Sequence, residues 1–416
     1  MAERPLRVCV PIAQYPPLFS GHGIQTRRTL PYLEARGIEV TILTSRLPRA
    51  GVARPANEPG TIDRILAPGP DSLSTLRRAV QLRRYFSRHQ GRFDLVHCSL
   101  LGWEFLVNTP YLAAQGMPII VEMVLLGADD PLTVSKERFG SLKMGLLKHV
   151  DLWVGISRTF LPRLTQAGIP AGQFRLVHTG VDLETYHPRS GAARSALRSR
   201  LGLPAEARIV VSVGSVIRRK GVDRALQAWA RVGPRSGRDL LLIVGPVSAA
   251  DGLREEDRSF AESVRARSEA PDLEGTVRWV GQVHNVEDYL GAADLFLFLS
   301  RQEGLGTVIL EALACGLPCV VSPLDGIADE ILSEGRYGVI ARDPDDPAAV
   351  AETVTRLLEQ PTLRTTMGDL ARKAAEERFS LEARAEALAS IYRSLTGRSQ
   401  PVEPVESASA PGRSAS

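Results

Sequence analysis

The stretch Leu295-Phe-Leu-Phe-Leu299-Ser-Arg-Gln-Glu303-Gly-Leu-Gly306-Thr-Val-Ile-Leu-Glu311-Ala-Leu-Ala-Cys-Gly316-Leu-Pro318 decides the fold. Its first five residues are continuously apolar, as in a strand buried on both faces of a sheet. A loop with two glycines follows, then a run of helical length closed by Gly316 and Pro318. Strand, glycine turn and helix form the repeating unit of parallel α/β sheets, which bind ligands beyond the carboxyl ends of their strands.

The alternation extends in both directions. Upstream strands are expected at Arg7–Ile12, Glu39–Thr44, Leu95–Ser99, Pro118–Val124, Leu152–Ile156 and Phe174–His178. A second series is expected at Ile209–Val213, Leu240–Val244, Val277–Val280, Leu295–Leu299, Cys319–Val321 and Tyr337–Ile340. Two sets of this size indicate two doubly wound, Rossmann-like domains rather than one sheet. Residues 1–185 read as the N-terminal domain and 186–378 as the C-terminal one, with a linker around His187-Pro188-Arg189-Ser190-Gly191. Residues 379–397 carry an amphipathic helix with Leu381, Ala385, Leu388, Ile391 and Leu395 on one face. Residues 398–416 have almost nothing to bury and read as a disordered tail.

Composition narrows the function. Apolar residues at 44% and charged residues at 24% suit a globular chain. The longest apolar runs fall far short of the ~20 residues that span a bilayer, and the N-terminus lacks a signal-peptide pattern, so a cytoplasmic address is expected. The formal charge of +4 invites a nucleic-acid reading. Aromatic residues at 6%, not interleaved with the basic ones, argue against a stacking platform. The charge is uneven: about +7 over residues 1–185 and about −3 over the rest, which hints at an anionic partner for the first half. The four cysteines read as core residues. Cys315 and Cys319 lack the neighbours of a zinc site, and no metal is expected.

In the decisive stretch, Gly304 and Gly306 permit a tight turn and close approach of a ligand. A helix opening near Gly306 turns the free amides of Thr307 and Val308 outward, where the helix dipole favours a phosphate. Glu303 stays on the loop, and Glu311, inside the helix, can accept two hydrogen bonds from vicinal hydroxyls. A second signal is Val213-Gly214-Ser215-Val216-Ile217-Arg218-Arg219-Lys220-Gly221, which follows the first strand of the second set. It is neither a Walker A loop nor a GxGxxG fingerprint. It offers cations at a sheet edge, with Lys220 suited to a diphosphate.

Together these stretches resemble the retaining glycosyltransferases of the GT-B fold, the large family 4 group, over nearly the whole ordered chain. Gly21-His22-Gly23-Ile24 resembles that family's glycine-rich first loop, Phe93-Asp94-Leu95-Val96-His97 its third-strand entry, and Thr179-Gly180-Val181-Asp182 its end-of-domain turn. The spacing of Glu303 and Glu311 resembles its EX7E motif. The resemblance implies two domains facing a central cleft and a C-terminal helix crossing back to the N-domain. It implies a nucleotide-diphosphate sugar as donor, transfer to an acceptor hydroxyl with retention, and no essential metal or cofactor.

By the same resemblance Glu303 and Lys220 are the catalytic pair, with Glu303 on the sugar, Glu311 on the ribose and Lys220 on the pyrophosphate. Gly23, Ser215, Arg219, Gly304, Leu305, Gly306, Thr307 and Val308 complete the donor-binding set. Main chain near Gly281–His284 would meet the base. His97, Asp129 and Asp130 are candidates for an acceptor loop, the last two also reading as a turn and helix start. Three positions depart from the family pattern: Ser215 where arginine is frequent, no histidine in the loop Glu122–Pro131, and Thr179 where asparagine is frequent.

The acceptor is a carbohydrate, a lipid-linked molecule or a small molecule. The basic helix Arg77–Arg88 is read either as a cover for the sheet or as a peripheral contact with an anionic inner membrane face. Rival functions are a nucleotide-sugar epimerase or hydrolase, and a catalytically silent nucleotide-binding protein.

Overall fold

The computed structural model describes residues 4–18, 20–47, 60–69, 71–99, 101–128, 130–248, 250 and 252–398. Asp129 and residues 399–416 of the tail lie outside the described residues. The chain divides into two compact units, one of residues 1–156, 160–177 and 385–416 and the other of 157–159 and 178–384.

The first unit holds seven parallel strands: β1 (Leu6–Pro11), β2 (Ile38–Ser45), β3 (Thr61–Leu66), β4 (Leu95–Cys98), β5 (Ile119–Met123), β6 (Leu152–Gly155) and β7 (Phe174–Leu176). Their order is β3-β2-β1-β4-β5-β6-β7, so the direction of winding reverses between β1 and β4. Val8, Val10, Val40 and Ile42 pack on Ala385, Leu388, Ala389 and Tyr392 of the helix Leu381–Leu395. Strand β3 is absent from the sequence reading. Its segment Thr-Ile-Asp-Arg-Ile-Leu is mostly half-exposed at the sheet edge and carries Asp63 and Arg64, so it lacks the apolar run of a central strand.

The second unit holds six parallel strands: β8 (Arg208–Val213), β9 (Asp239–Val244), β10 (Val277–Gly281), β11 (Leu295–Phe298), β12 (Cys319–Val321) and β13 (Gly338–Ile340). Their order is β10-β9-β8-β11-β12-β13, with the reversal between β8 and β11. Every residue of β9 and β11 is buried, which explains the apolar runs Leu240–Val244 and Leu295–Phe298; the buried Asp239 that opens β9 is paired with Arg208. Helix Val222–Val232 buries Val222, Ala225, Leu226 and Trp229 at i, i+3, i+4 and i+7.

The division falls at 177/178, earlier than 185. Val181 N donates to Phe379 O at 2.7 Å and Leu381 N to Val181 O at 3.1 Å, which holds residues 178–185 in the second unit.

Candidate functional site

The winding reversal in the second sheet leaves a crevice beyond the carboxyl ends of β8 and β11, because the chain leaves these neighbouring strands toward opposite faces. The two loops that leave there are the two that the sequence singled out. After β8 the chain forms a short 3-10 turn, Arg218–Lys220, ended by Gly221 at φ +67°. A Cβ at Gly221 would stand 2.0 Å from Leu299 O, so only glycine lets this turn pass against the end of the neighbouring strand.

That close passage brings the charges together. Lys220 Nζ lies 2.7 Å from Glu303 Oε1, and Arg219 Nη1 lies 3.2 Å from Glu303 Oε2. Ser300 Oγ, also buried, donates to Glu303 Oε1 at 2.7 Å. Arg219 Nη1 donates to Gln302 O at 2.7 Å, and Lys220 Nζ sits 5.3 Å from the centre of the Phe298 ring. Burial draws the Lys220 ammonium below the ordinary lysine range. Glu303 pulls it back upward and Arg219 pushes it down again. Two cations against one carboxylate leave an excess positive charge in a partly desolvated place.

The helix Thr307–Ala314 begins at the same edge. Gly306 takes φ +79° at the N-cap and, as a glycine, offers no side chain to cap the first turn, so that position leaves the dipole end of the helix uncapped. Of the two glycines that permit the tight turn, only Gly306 takes a positive φ. Leu305 is buried at 1% exposure and packs inward, so what the loop offers at that position is its backbone. Thr307 and Val308 are half-buried. Glu311 stands one turn farther along, half-buried, and its charge adds to burial in pushing up the Cys315 thiol.

Three residues that sequence reasoning missed tie the loops. Arg301 forms a two-pronged ion pair with Asp223 at 2.9 and 2.8 Å, and its Nη1 also donates to Arg218 O at 2.6 Å. Arg301 N donates to Arg219 O at 2.7 Å, and Ser300 Oγ lies 2.9 Å from the same carbonyl. The signal was only adjacency: Ser300 and Arg301 precede Glu303, and Asp223 follows Lys220 by three residues, without a pattern to set them apart. Ser215 is half-buried in the turn after β8, where Val216 N donates to Pro246 O at 2.9 Å. Gly281 O accepts from Gly245 N at 2.9 Å, which draws the start of the Gly281–His284 segment to the turn after β9.

Candidates in the first unit have local tasks. Gly23 lies in the first turn of helix Gly21–Glu34, where Ser20 Oγ accepts from its amide at 3.2 Å. A Cβ there would meet Gln14 O at 2.6 Å, so close backbone packing requires glycine. His97, a candidate for the acceptor loop, is enclosed within the first unit. It is 5% exposed, with Nδ1 2.6 Å from the Tyr392 hydroxyl and Nε2 3.4 Å from Glu122 Oε2. Asp130 is fully buried and accepts from Gly127 N, Thr133 N and Thr133 Oγ while facing Arg163 at 3.0 Å. It caps helix Pro131–Lys136, and its carboxylate has no side open to an acceptor. Among the described residues, no group of three His, Cys, Asp or Glu side chains is arranged to hold a metal ion. The four cysteines are buried free thiols.

Comparison with known proteins agrees with this architecture. The family model described as glycosyl transferases group 1 matches residues 193–374, and that described as glycosyl transferase 4-like domain matches residues 20–180. The chain is 26% identical over 287 residues to N-acetyl-alpha-D-glucosaminyl L-malate synthase of Bacillus anthracis, covering 68% of this chain and 70% of that one. It is 29% identical over 388 residues to D-inositol 3-phosphate glycosyltransferase 2 of Catenulispora acidiphila, covering 86% of each. Its fold is similar to that of HepE from Anabaena, solved in complex with UDP and glucose, with a TM-score of 0.72 at 18% identity over 93% of this chain and 99% of that one. With both halves matched in order and two parallel sheets of the expected winding, the chain belongs to the group 1, family 4 type of glycosyltransferases.

Proposed function

We propose that the second unit binds a nucleoside-diphosphate sugar at the crevice beyond β8 and β11, and that its sugar passes to an acceptor hydroxyl with retention of configuration. The observation that carries this reading is the cluster of Lys220, Arg219 and Glu303 beside the uncapped helix at Gly306. HepE, a structural neighbour, binds UDP and glucose, which supports a donor of this class.

The chemistry follows from the charges. In the free protein Glu303 serves as counter-ion to Lys220 and Arg219. A diphosphate is a stronger anion and takes the two cations together with the amides of Thr307 and Val308. Glu303, released from the lysine, then accepts hydrogen bonds from the sugar hydroxyls, and Glu311 does the same for the ribose. Negative charge growing on the leaving diphosphate meets a half-buried ammonium and a helix N-terminus that are already oriented, which lowers the barrier without a metal ion. The family supplies the assignment of retention. The acceptor is a carbohydrate, a lipid-linked molecule or a small molecule, and a cytoplasmic setting would supply the activated donor.

Incubation with a panel of UDP-, GDP- and ADP-sugars tests this directly. Donor consumed only when acceptor is present, at a rate unchanged by a chelator, is the expected result. Donor consumed alone indicates an epimerase or hydrolase, and donor bound but left intact indicates a silent binding protein. Either outcome sinks the transferase reading.

A further inference from the structure

The first unit carries a surface that its own packing does not account for. Helix Ser72–Arg88 covers its sheet with Ala79, Leu82, Tyr85 and Phe86, all buried. That answers the need for an apolar face, yet a second apolar row points away from the sheet. Leu73, Leu76 and Val80 are 54%, 62% and 42% exposed and stand at i, i+3 and i+7 on one side of the helix. Arg77, Arg84 and Arg88 are exposed along the same side, and the helix contains no Asp or Glu.

The surface continues onto the neighbouring segment. Asn108 Nδ2 donates to Ala79 O at 3.1 Å, which fixes the exposed Val107 next to this helix. Trp103, four residues earlier, makes an edge contact at 6.3 Å with Phe139, and Phe139 and Leu142 are both exposed. Among the described residues, every exposed large apolar side chain except Leu370 belongs to the first unit.

Nearby carboxylates do not neutralise the arginines. Asp71 accepts from Ser74 at the helix cap, Glu104 faces Arg78 at 3.3 Å, and Glu137 faces Lys143 at 2.5 Å. Among the described residues, Arg77, Arg84 and Arg88 have no acidic partner.

We propose that this face docks on the surface of an anionic lipid bilayer. Apolar side chains in line with arginines suit the boundary between acyl chains and head groups, where the former bury and the latter meet phosphate. The formal charge of about +7 over residues 1–185 draws the same half toward an anionic plane. A second copy of the chain fits less well, because a two-fold contact would set the same arginine row against itself. This inference rests on no part of the donor-site reading, and either can fail alone.

Flotation of the full chain with vesicles tests it, using phosphatidylcholine alone or mixed with phosphatidylglycerol, at low and high salt. Binding should be confined to the anionic vesicles and weakened by salt. It should fall about tenfold or more both in the double variant Arg77→Glu with Arg84→Glu and in Leu73→Ser with Leu76→Ser. These side chains are exposed, so unchanged melting and nucleotide affinity will show that both variants fold. Equal partitioning onto both vesicle types, or binding that survives both double variants, overturns the proposal. So does a dimer in solution that Leu76→Ser splits while vesicles are ignored, which would assign the face to a second copy.

Discussion

The two sheets wind alike, yet they use their reversal points differently. In the second unit the loops after β8 and β11 meet as charge on charge, with Lys220 and Arg219 held by Glu303 and an uncapped helix beside them. In the first unit, the next-to-last residue of β4 is a histidine closed in by Tyr392 and Glu122, and the loop after β1 packs its backbone at Gln14 against Gly23 of the following helix. Strand order therefore supplies a crevice, and side chains decide whether it can hold an anion. In this molecule the clustered cations and the glycine-opened helix stand in the second unit.

The largest effect that would break this contrast is at Lys220. Lys220→Ala removes a half-buried cation and leaves Glu303 with Arg219 as its one remaining cationic partner among the described residues. Affinity for nucleoside diphosphate should fall at least tenfold in calorimetry, the equivalent of ~1.5–3 kcal/mol of charge-assisted hydrogen bonding. Unchanged affinity would place the phosphate site elsewhere.

Glu303→Gln should act in the opposite sense. If the carboxylate competes with diphosphate for Lys220 and Arg219, its neutral isostere should bind free nucleoside diphosphate about threefold tighter or more, while sugar transfer becomes slower. Weaker binding to the glutamine variant would reject the exchange of partners. The same site gives a pH signature. Lys220 must be protonated to hold an anion, and burial draws its ammonium below the ordinary lysine range. Affinity should therefore be complete at lower pH and be lost as pH rises through that lowered value, and Lys220→Arg should move the loss to higher pH.

The Arg301–Asp223 pair predicts an intermediate effect. Arg301→Ala unties the two loops, and the donor KM should rise several-fold with a smaller change in kcat, alongside a stability loss of about 1 kcal/mol. Exchanging the pair, Arg301→Asp with Asp223→Arg, should restore part of the KM. A rise in neither would deny the pair any positioning role. The smallest effect belongs to the first unit. Tyr392→Phe removes the hydroxyl next to His97 and should lower stability by about 1 kcal/mol in a thermal melt, with nucleotide affinity within about twofold of the parent. A large loss of affinity would tie the His97 cluster to nucleotide binding.

Much was legible in the chain before any coordinates. Buried parallel strands are apolar runs, so the central strands announced themselves through β-branched and leucine-rich segments, and the half-buried edge strands β7 and β10 through the Phe, Val and Trp they contain. The exception is β3, an edge strand in which the adjacent charges Asp63 and Arg64 break the apolar pattern. The motif from Glu303 to Glu311 was readable because a glycine turn between strand and helix needs particular residues at fixed spacing. Local chemistry leaves a local trace.

Tertiary structure decided what depends on partners distant in sequence. That Glu303 pairs with Lys220 across eighty-three residues follows from the adjacency of β8 and β11, which strand order sets and composition does not. The burial of His97 depends on a tyrosine 295 residues away. Which arginines of the helix Ser72–Arg88 remain in solvent depends on how that helix rotates on its sheet. A sequence records each residue's own preference, whereas charge pairing and exposure belong to neighbours that only folding brings close.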